Sequence, residues 1–202
     1  DAGQVVVIAH DSKSLTSQER VNNFIAEIQN NHPNMSVAGP YYMDQIDDIK
    51  KTIAEQQLDI VPVEGQELDE EQQTALDDAI AQITDEDIYN YILEMNPDVK
   101  GIFATNGDTT MQALTACEGK DMKDVVIMGY DADQEEIDAM KDGRIAGMIV
   151  QNPYGMGYAT VVAEARCVLN MGNEANVNTG YTWVTPDNIE DRTVQDILYA
   201  EK

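Results

Sequence analysis

The chain has 202 residues, 43% of them hydrophobic, enough to bury the core of roughly one to one and a half domains. Its 38 acidic against 12 basic residues give a net charge of -26, a field that repels nucleic acid and anionic membrane surfaces and disfavours an anionic ligand. Its two cysteines, Cys117 and Cys167, come with no CxxC spacing and no Cys/His cluster, which argues against zinc, and no 18-residue apolar run is present to span a bilayer as a helix.

Residues 4–9 form a β-branched run bounded by polar residues, the pattern of a buried strand. Thr16-Ser-Gln-Glu19 has the spacing of a capping box, and Val21, Phe24, Ile25 and Ile28 then recur at one helical face. Asn31-His-Pro33 stops that helix, and Met35-Ser-Val-Ala is the second strand. Thr84-Asp-Glu-Asp87 opens another helix with Ile88, Tyr91, Ile92 and Met95 on one face, ended by Asn96-Pro97. A strand at 101–105, a helix near 108–118, a strand at 125–130, a helix near 133–142 and a strand at 145–151 follow. Five strands alternating with helices give the fold class: α/β, a three-layer αβα Rossmann-like lobe with a parallel doubly wound sheet.

Residues 45–83 interrupt this alternation. Ile46, Ile49 and Ile53 share one helical face, Leu76, Ala79, Ile80 and Ile83 another, with Pro62 and Gly65 between, so the segment reads as a helical hairpin or two helices joined by a short extended piece. From Asp44 to Asp98 there are 17 acidic and 2 basic residues, a net -15. Such a segment is a solvated acidic insert or a docking surface for a partner. Beyond Pro153, Met156, Val161, Val162, Ala165, Val168 and Leu169 make a helix with a broad apolar stripe ended at Gly172-Asn173. Residues 179–184 are extended, and a short helix is expected near 190–200. Both cysteines fall on apolar helix faces, where a buried thiol is the default.

Three of the strands end in a polar side chain: Asn106, Asp131 and Gln151. In open α/β sheets small ligands bind at the carboxyl ends of the strands. An amide, a carboxylate and an amide suit a neutral polyol better than a phosphate or a metal. Each has a structural alternative: Asn106 as a turn residue ahead of Gly107-Asp108, Asp131 as a helix cap, Gln151 as a strand-end amide. Asp108 is expected to cap the helix after Asn106, and Asp133 can cap the one after Asp131. Asp131-Ala-Asp133-Gln-Glu135 lacks the glycine and terminal Glu of a calcium loop, so no metal is expected there. His10, Asp11 and Ser12 follow the first strand, and Tyr41, Tyr42, Met43 and Asp44 the second, which places His10, Tyr42, Met43 and Asp44 at the same edge as weaker ligand candidates.

Phe-Ala-Thr-Asn106, Met-Gly-Tyr-Asp131, Lys141-Asp-Gly-Arg-Ile-Ala-Gly and Val150-Gln-Asn-Pro-Tyr-Gly-Met-Gly157 carry a resemblance. Together, in order and spacing, they resemble the second half of the type I periplasmic sugar-binding proteins, the ribose-binding-like substrate-binding proteins of ABC transporters. The resemblance covers most of residues 3–43 and 84–190. It implies two lobes closing on a sugar, delivery to an ABC transporter permease, and an extracytoplasmic location, periplasmic or as an anchored lipoprotein. It implies ligand roles for Arg20, Asn106, Asp131 and Gln151, the last at the hinge. A guanidinium fork at Arg20 suits vicinal hydroxyls; the alternative is a surface Arg paired with Glu19 or Glu27. This chain has Asn106-Gly107 where the family usually has Asn-Asp.

By the same resemblance, residues 1–151 are the carboxyl-terminal lobe with its acidic insert at about 45–83. Residues 152–176 belong to the other lobe or the hinge, and 177–202 are the carboxyl-terminal crossing and tail. Most of the amino-terminal lobe is expected to be missing, so the chain reads as a fragment. Cys117 and Cys167 would lie in different lobes, so no disulfide is expected. The helix at 154–171 is expected either to fold back onto the lobe or to pair with a second copy as a dimer.

No GxSxG, HExxH, Walker loop or GxGxxG is present, and no two carboxylates stand out as a glycosidase pair, so neither catalysis nor a cofactor is expected. The alternatives to capture for import are the sugar-sensing effector domain of a LacI-type transcriptional regulator and a domain that presents a bound sugar to a signalling receptor. The runs usual in such regulators are replaced here by Asp121-Met-Lys-Asp124 and Lys141-Asp-Gly-Arg144.

Overall fold

The computed structural model describes residues 2–61 and 68–198. Its elements are, in chain order, β1 (Gly3–Ala9), α1 (Leu15–Asn31), β2 (Met35–Tyr42), α2 (Asp47–Gln57), α3 (Glu70–Gln82), α4 (Asp85–Met95), β3 (Val99–Ala104), α5 (Gly107–Gly119), β4 (Val126–Tyr130), α6 (Gln134–Lys141), β5 (Gly147–Gln151), α7 (Pro153–Val168), β6 (Tyr181–Val184) and α8 (Arg192–Gln195). The sheet order is β2-β1-β3-β4-β5-β6. Strands β1 to β5 run parallel, as the alternation predicts, while β6 pairs antiparallel with β5 through Ile149 opposite Trp183 and Gln151 opposite Tyr181. The extended segment foreseen at 179–184 is therefore the sixth strand of this sheet, and Ile189, Val194 and Leu198 behind it are buried in the same core.

Strand alternation sorts the sheet into two faces. Val6, Ile8, Ile102, Ile127, Met148 and Val150 join the large cluster with residues of α4, α5 and α6. Val7, Ala9 and Phe103 face the other way, onto Val21, Phe24 and Ile25 of α1. Phe24 stacks on Phe103 with ring centroids 4.2 Å apart. Gly129 lets α5 approach β4 closely, because a Cβ there would lie 2.1 Å from Thr110 Oγ1.

Capping is largely as local rules require, with two corrections. Thr84 caps α4 with Asp87 as its box partner. The first helix, however, is capped by Ser14, not Thr16: Ser14 accepts from the Ser17 N–H and is itself held by Asp11. Arg20 thus lies in the second turn of α1. Asn106, not Asp108, caps α5, because its carboxamide accepts from the Thr109 N–H. On α4 the buried residues are Ile88, Tyr89, Ile92 and Leu93, while Met95 is exposed. The inward face is turned relative to the expected Ile88, Tyr91, Ile92, Met95 stripe because α5 and α2 also pack on this helix.

The interrupting segment contains two helices, α2 and α3, which pack on each other, and α2 also meets α4. Ile53, Leu76 and Ile83 are buried, and Ile46 and Ile49 are packed against the main core. Pro62 and Gly65 lie outside the described residues. The solvent-facing side is acidic, with Glu70, Glu71 and Asp78 lining a shallow exposed surface of α3. Helix α7 has no buried residue; Tyr154 and Val168 are 81% and 80% exposed. Among the described residues it does not fold back onto the lobe, and Cys167 is exposed rather than buried because no described sheet lies beneath its stripe, whereas Cys117 on α5 is buried. No helix among the described residues is long and apolar enough to cross a membrane.

Candidate functional site

The parallel sheet brings the carboxyl ends of β1, β3, β4 and β5 to one edge. Asp131 is the centre of what gathers there. Its Oδ2 accepts from the Gly107 N–H at 3.2 Å and its Oδ1 from Gln151 Nε2 at 3.3 Å. Asn106, one residue before Gly107, thereby shares the edge with Asp131 and Gln151. The carboxylate sits at the amino end of α5, where unsatisfied N–H groups and the helix dipole favour negative charge. Asp131 adopts φ 75, a left-handed backbone that costs an L-residue about 1–2 kcal/mol and that Asp tolerates better than most. Asp133 takes over the cap of α6, which leaves Asp131 free of that role.

Arg20 reaches the same edge from α1. Its Nη1 donates to the Thr105 carbonyl at 2.6 Å and its guanidinium lies 4.0 Å over the Tyr130 ring. It pairs with neither Glu19 nor Glu27. The stacked cation fixes a planar fork in place. Burial first, and then Asp131 and Tyr181, raise the Tyr130 phenol above its ordinary value, with Arg20 opposing. The Asn106 carboxamide uses its oxygen on Thr109 N and Oγ1 at 3.0 and 2.7 Å, and its Nδ2 has no partner among the described residues. The Arg20 N–H groups beyond Nη1 and the Gln151 carboxamide oxygen likewise have no partner among the described residues. The edge therefore offers donors from Arg20 and Asn106 and acceptors from Asp131 and Gln151, the complement of vicinal hydroxyls.

The weaker candidates have internal partners. His10 donates its backbone N–H to Thr105 Oγ1 at 3.0 Å, and its Nδ1 and Nε2 lie 2.7 Å from the same hydroxyl and 3.1 Å from Asp11 Oδ2. Asp44 accepts from the Ser12 N–H and Oγ at 2.8 and 3.0 Å. Tyr42 packs on the α1-face cluster and Met43 on the main core, while the Tyr41 hydroxyl accepts from Asn96 at 3.0 Å.

Three participants escape sequence reasoning. Thr105 joins Arg20, His10 and β1 through its carbonyl, its hydroxyl and a backbone bond to Ile8. Tyr130 forms the platform for Arg20. Glu136, buried behind the edge, is the third. Only Tyr130 leaves a signal, an aromatic immediately before a strand-end carboxylate. Below Arg20, on the α1 face, a hollow of about 660 Å³ is lined by Phe24, Phe103, Tyr130, Ile149 and Tyr181. Another of about 500 Å³ lies beside Cys117, Val126 and Arg144, at the opposite edge, where no strand-end polar groups converge. Among the described residues no group of three His, Cys, Asp or Glu could hold a metal.

Residues 1–167 match the family described as periplasmic binding protein domain. The chain belongs to that family. Curated relatives include the ribose import binding protein RbsB of Salmonella typhimurium, 35% identical over 66 residues, or 33% of this chain and 22% of the relative. The RbsB of Haemophilus influenzae is 31% identical over 86 residues, 43% of this chain and 29% of the relative. Among solved structures, a carbohydrate transporter solute-binding protein of Agrobacterium radiobacter in complex with D-arabinose superposes with a TM-score of 0.71 at 22% identity, over 98% of this chain and 55% of that one. An ABC transporter solute-binding protein of Agrobacterium vitis with bound D-fucose gives 0.72 at 23%, over 98% and 56%. The chain thus spans little more than half the length of these structures and under a third of the curated relatives it matches. These structural matches establish the type I periplasmic binding fold.

Proposed function

We propose that this chain is one lobe of an extracytoplasmic solute-binding protein that captures a sugar for an ABC-type importer, without catalysis. The observation that carries the reading is the edge itself: Asn106, Asp131 and Gln151 meet there through the Gly107 and Gln151 bonds to Asp131, with Arg20 held beside them. A neutral, hydroxyl-rich ligand fits this set, and a charge of -26 disfavours an anionic one. In this reading residues 1–151 form the sugar-binding lobe, 152–176 belong to the hinge or the other lobe, and 177–202 are the crossing and tail. The import and solute-binding names of the relatives support capture over gene regulation.

A site shared between two lobes loses closure and much of its desolvation when one lobe is absent. Calorimetry should therefore show this 202-residue chain binding a monosaccharide at least about a hundredfold more weakly than the full-length polypeptide carrying it, a difference of roughly 2.7 kcal/mol. Equal affinities would overturn the two-lobe reading. An Asp131→Ala form of the full-length polypeptide that bound as tightly as the parent would overturn the site.

A further inference from the structure

Glu136 is the one acidic or basic side chain fully buried among the described residues, at 1% exposure. Its Oε2 accepts from the Asp133 N–H at 2.9 Å, and its Oε1 has no partner among the described residues. The charged groups that bear on it are Asp131 and Asp133 from the turn after β4 and Asp108 from the first turn of α5, all acidic. The same carboxyl lies directly against Gly107. A Cβ on Gly107 would stand 3.2 Å from Oε1 and 3.3 Å from Cδ and Oε2. Gly107 is the first residue of α5 and its φ is not positive, so the backbone there accepts any L-residue. It is the packing of Glu136 that a side chain would disturb. Gly107 is also the residue whose N–H donates to Asp131. Glu136 is thus bonded to one of the two turns that carry the polar edge and packed against the other.

We infer that Glu136 is a positioning residue for the candidate sugar site: its carboxyl, seated in the space left by the missing side chain at Gly107 and tied to the Asp133 amide, sets the spacing between the Asn106-Gly107 turn and the Asp131–Asp133 turn. The inference rests on the sugar-binding reading of that edge. Burial, reinforced by the three neighbouring aspartates, pushes the Glu136 carboxyl up to about 8, so the neutral acid predominates at pH 7. As the neutral acid it packs against Gly107 without adding charge beside Asp131. Once ionised it becomes a fourth carboxylate in a region that holds no counter-cation on the groups named, and the two turns are driven apart.

Two measurements on the full-length polypeptide carrying this chain test the idea. The first needs no ligand: the amide resonance of Gly107 is followed from pH 6 to 9.5 by nuclear magnetic resonance. It should titrate with a midpoint near that of Glu136, about 8, and should stay flat in Glu136→Gln. The second is the affinity for D-ribose, D-arabinose and D-fucose by calorimetry. Affinity should fall at least about tenfold between pH 7 and 9.5 in the parent and stay level with pH in Glu136→Gln. Gly107→Ala should weaken binding in the parent and cost less in a Glu136→Ala background, where the added methyl has room. A Gly107 resonance that does not move, or that moves equally in Glu136→Gln, overturns the inference, as does equal pH loss of affinity in both forms. If none of the three sugars binds, or if Asp131→Ala binds undiminished, the sugar reading fails instead. The Gly107 titration then still decides whether Glu136 couples the two turns.

Discussion

Helices α5 and α7 make an instructive pair. Both follow a strand of the sheet, and both are capped by an asparagine whose carboxamide accepts a backbone N–H, Asn106 from Thr109 at 3.0 Å and Asn152 from Gly155 at 2.8 Å. Both carry an apolar stripe. Yet α5 buries Thr109, Thr110, Ala113, Leu114, Ala116 and Cys117, and α7 buries nothing. Helix formation is written in bonds that close within four residues, so it survives in either setting. The stabilisation a stripe supplies comes from the surface that covers it, at about 1.5–3 kcal/mol for each large aliphatic fully removed from water. Only α5 has that surface among the described residues.

The thiols give the sharpest contrast. Burial, with a further push from Glu118, raises Cys117 to about 11, so roughly one molecule in a thousand carries the thiolate at pH 8, and the sulfur is shielded as well. An alkylating reagent should modify exposed Cys167 rapidly and Cys117 only after unfolding. Labelling followed by peptide mass spectrometry checks this, and equal rates would erase the distinction between the two helices.

Core truncation is the next largest effect. Leu114→Ala should cost about 2–5 kcal/mol because the cavity cannot fully collapse, whereas Leu169→Ala, 68% exposed, should stay within about 0.5 kcal/mol. Denaturant midpoints of the two variants give the comparison directly.

The pH dependence of α6 extends the comparison to a polar group. In the unfolded chain Glu136 ionises near its ordinary value of 4.5, and in the folded chain only near 8. Between those values the folded state binds the extra proton, so the stability contribution is fully present below the lower value and is lost as pH rises toward the upper one. The loss is on the order of 4 kcal/mol from pH 4.5 to 8, and Glu136→Gln should remove that slope and be the more stable form at pH 8. Urea titrations at several pH values measure it.

The smallest effect on the fold itself belongs to α7. Val161→Asp and Leu169→Asp should change the stability of the monomer by less than about 0.5 kcal/mol. If a second copy covers the stripe, the 202-residue chain sediments as a dimer that tightens with added salt, because a charge of -26 per copy opposes association, and either Asp substitution returns it to a monomer. A monomer at all salt concentrations would rule out self-association through the α7 stripe.

Periodicity, caps and strand-end residues are properties of neighbours in the chain, and they yielded the alternation of five strands with helices, the Thr84 cap, and the polar groups at 106, 131 and 151. What the chain could not show from its neighbours alone required distance in sequence to be closed. One exception is local: Ser14 rather than Thr16 caps α1 because Asp11, three residues earlier, holds its hydroxyl. The inward face of α4 turns toward Tyr89 and Leu93 because α2 and α5 arrive from elsewhere. Residues 181–184 become a sixth, antiparallel strand only where the edge of β5 is open to receive them. Arg20 meets Thr105 across 85 residues of chain and Tyr130 from farther still, and Glu136 fills the space at Gly107. Local hydrogen bonds and spacing select the elements. Which side chains are buried, paired or left facing solvent is fixed by the surfaces those elements present to one another.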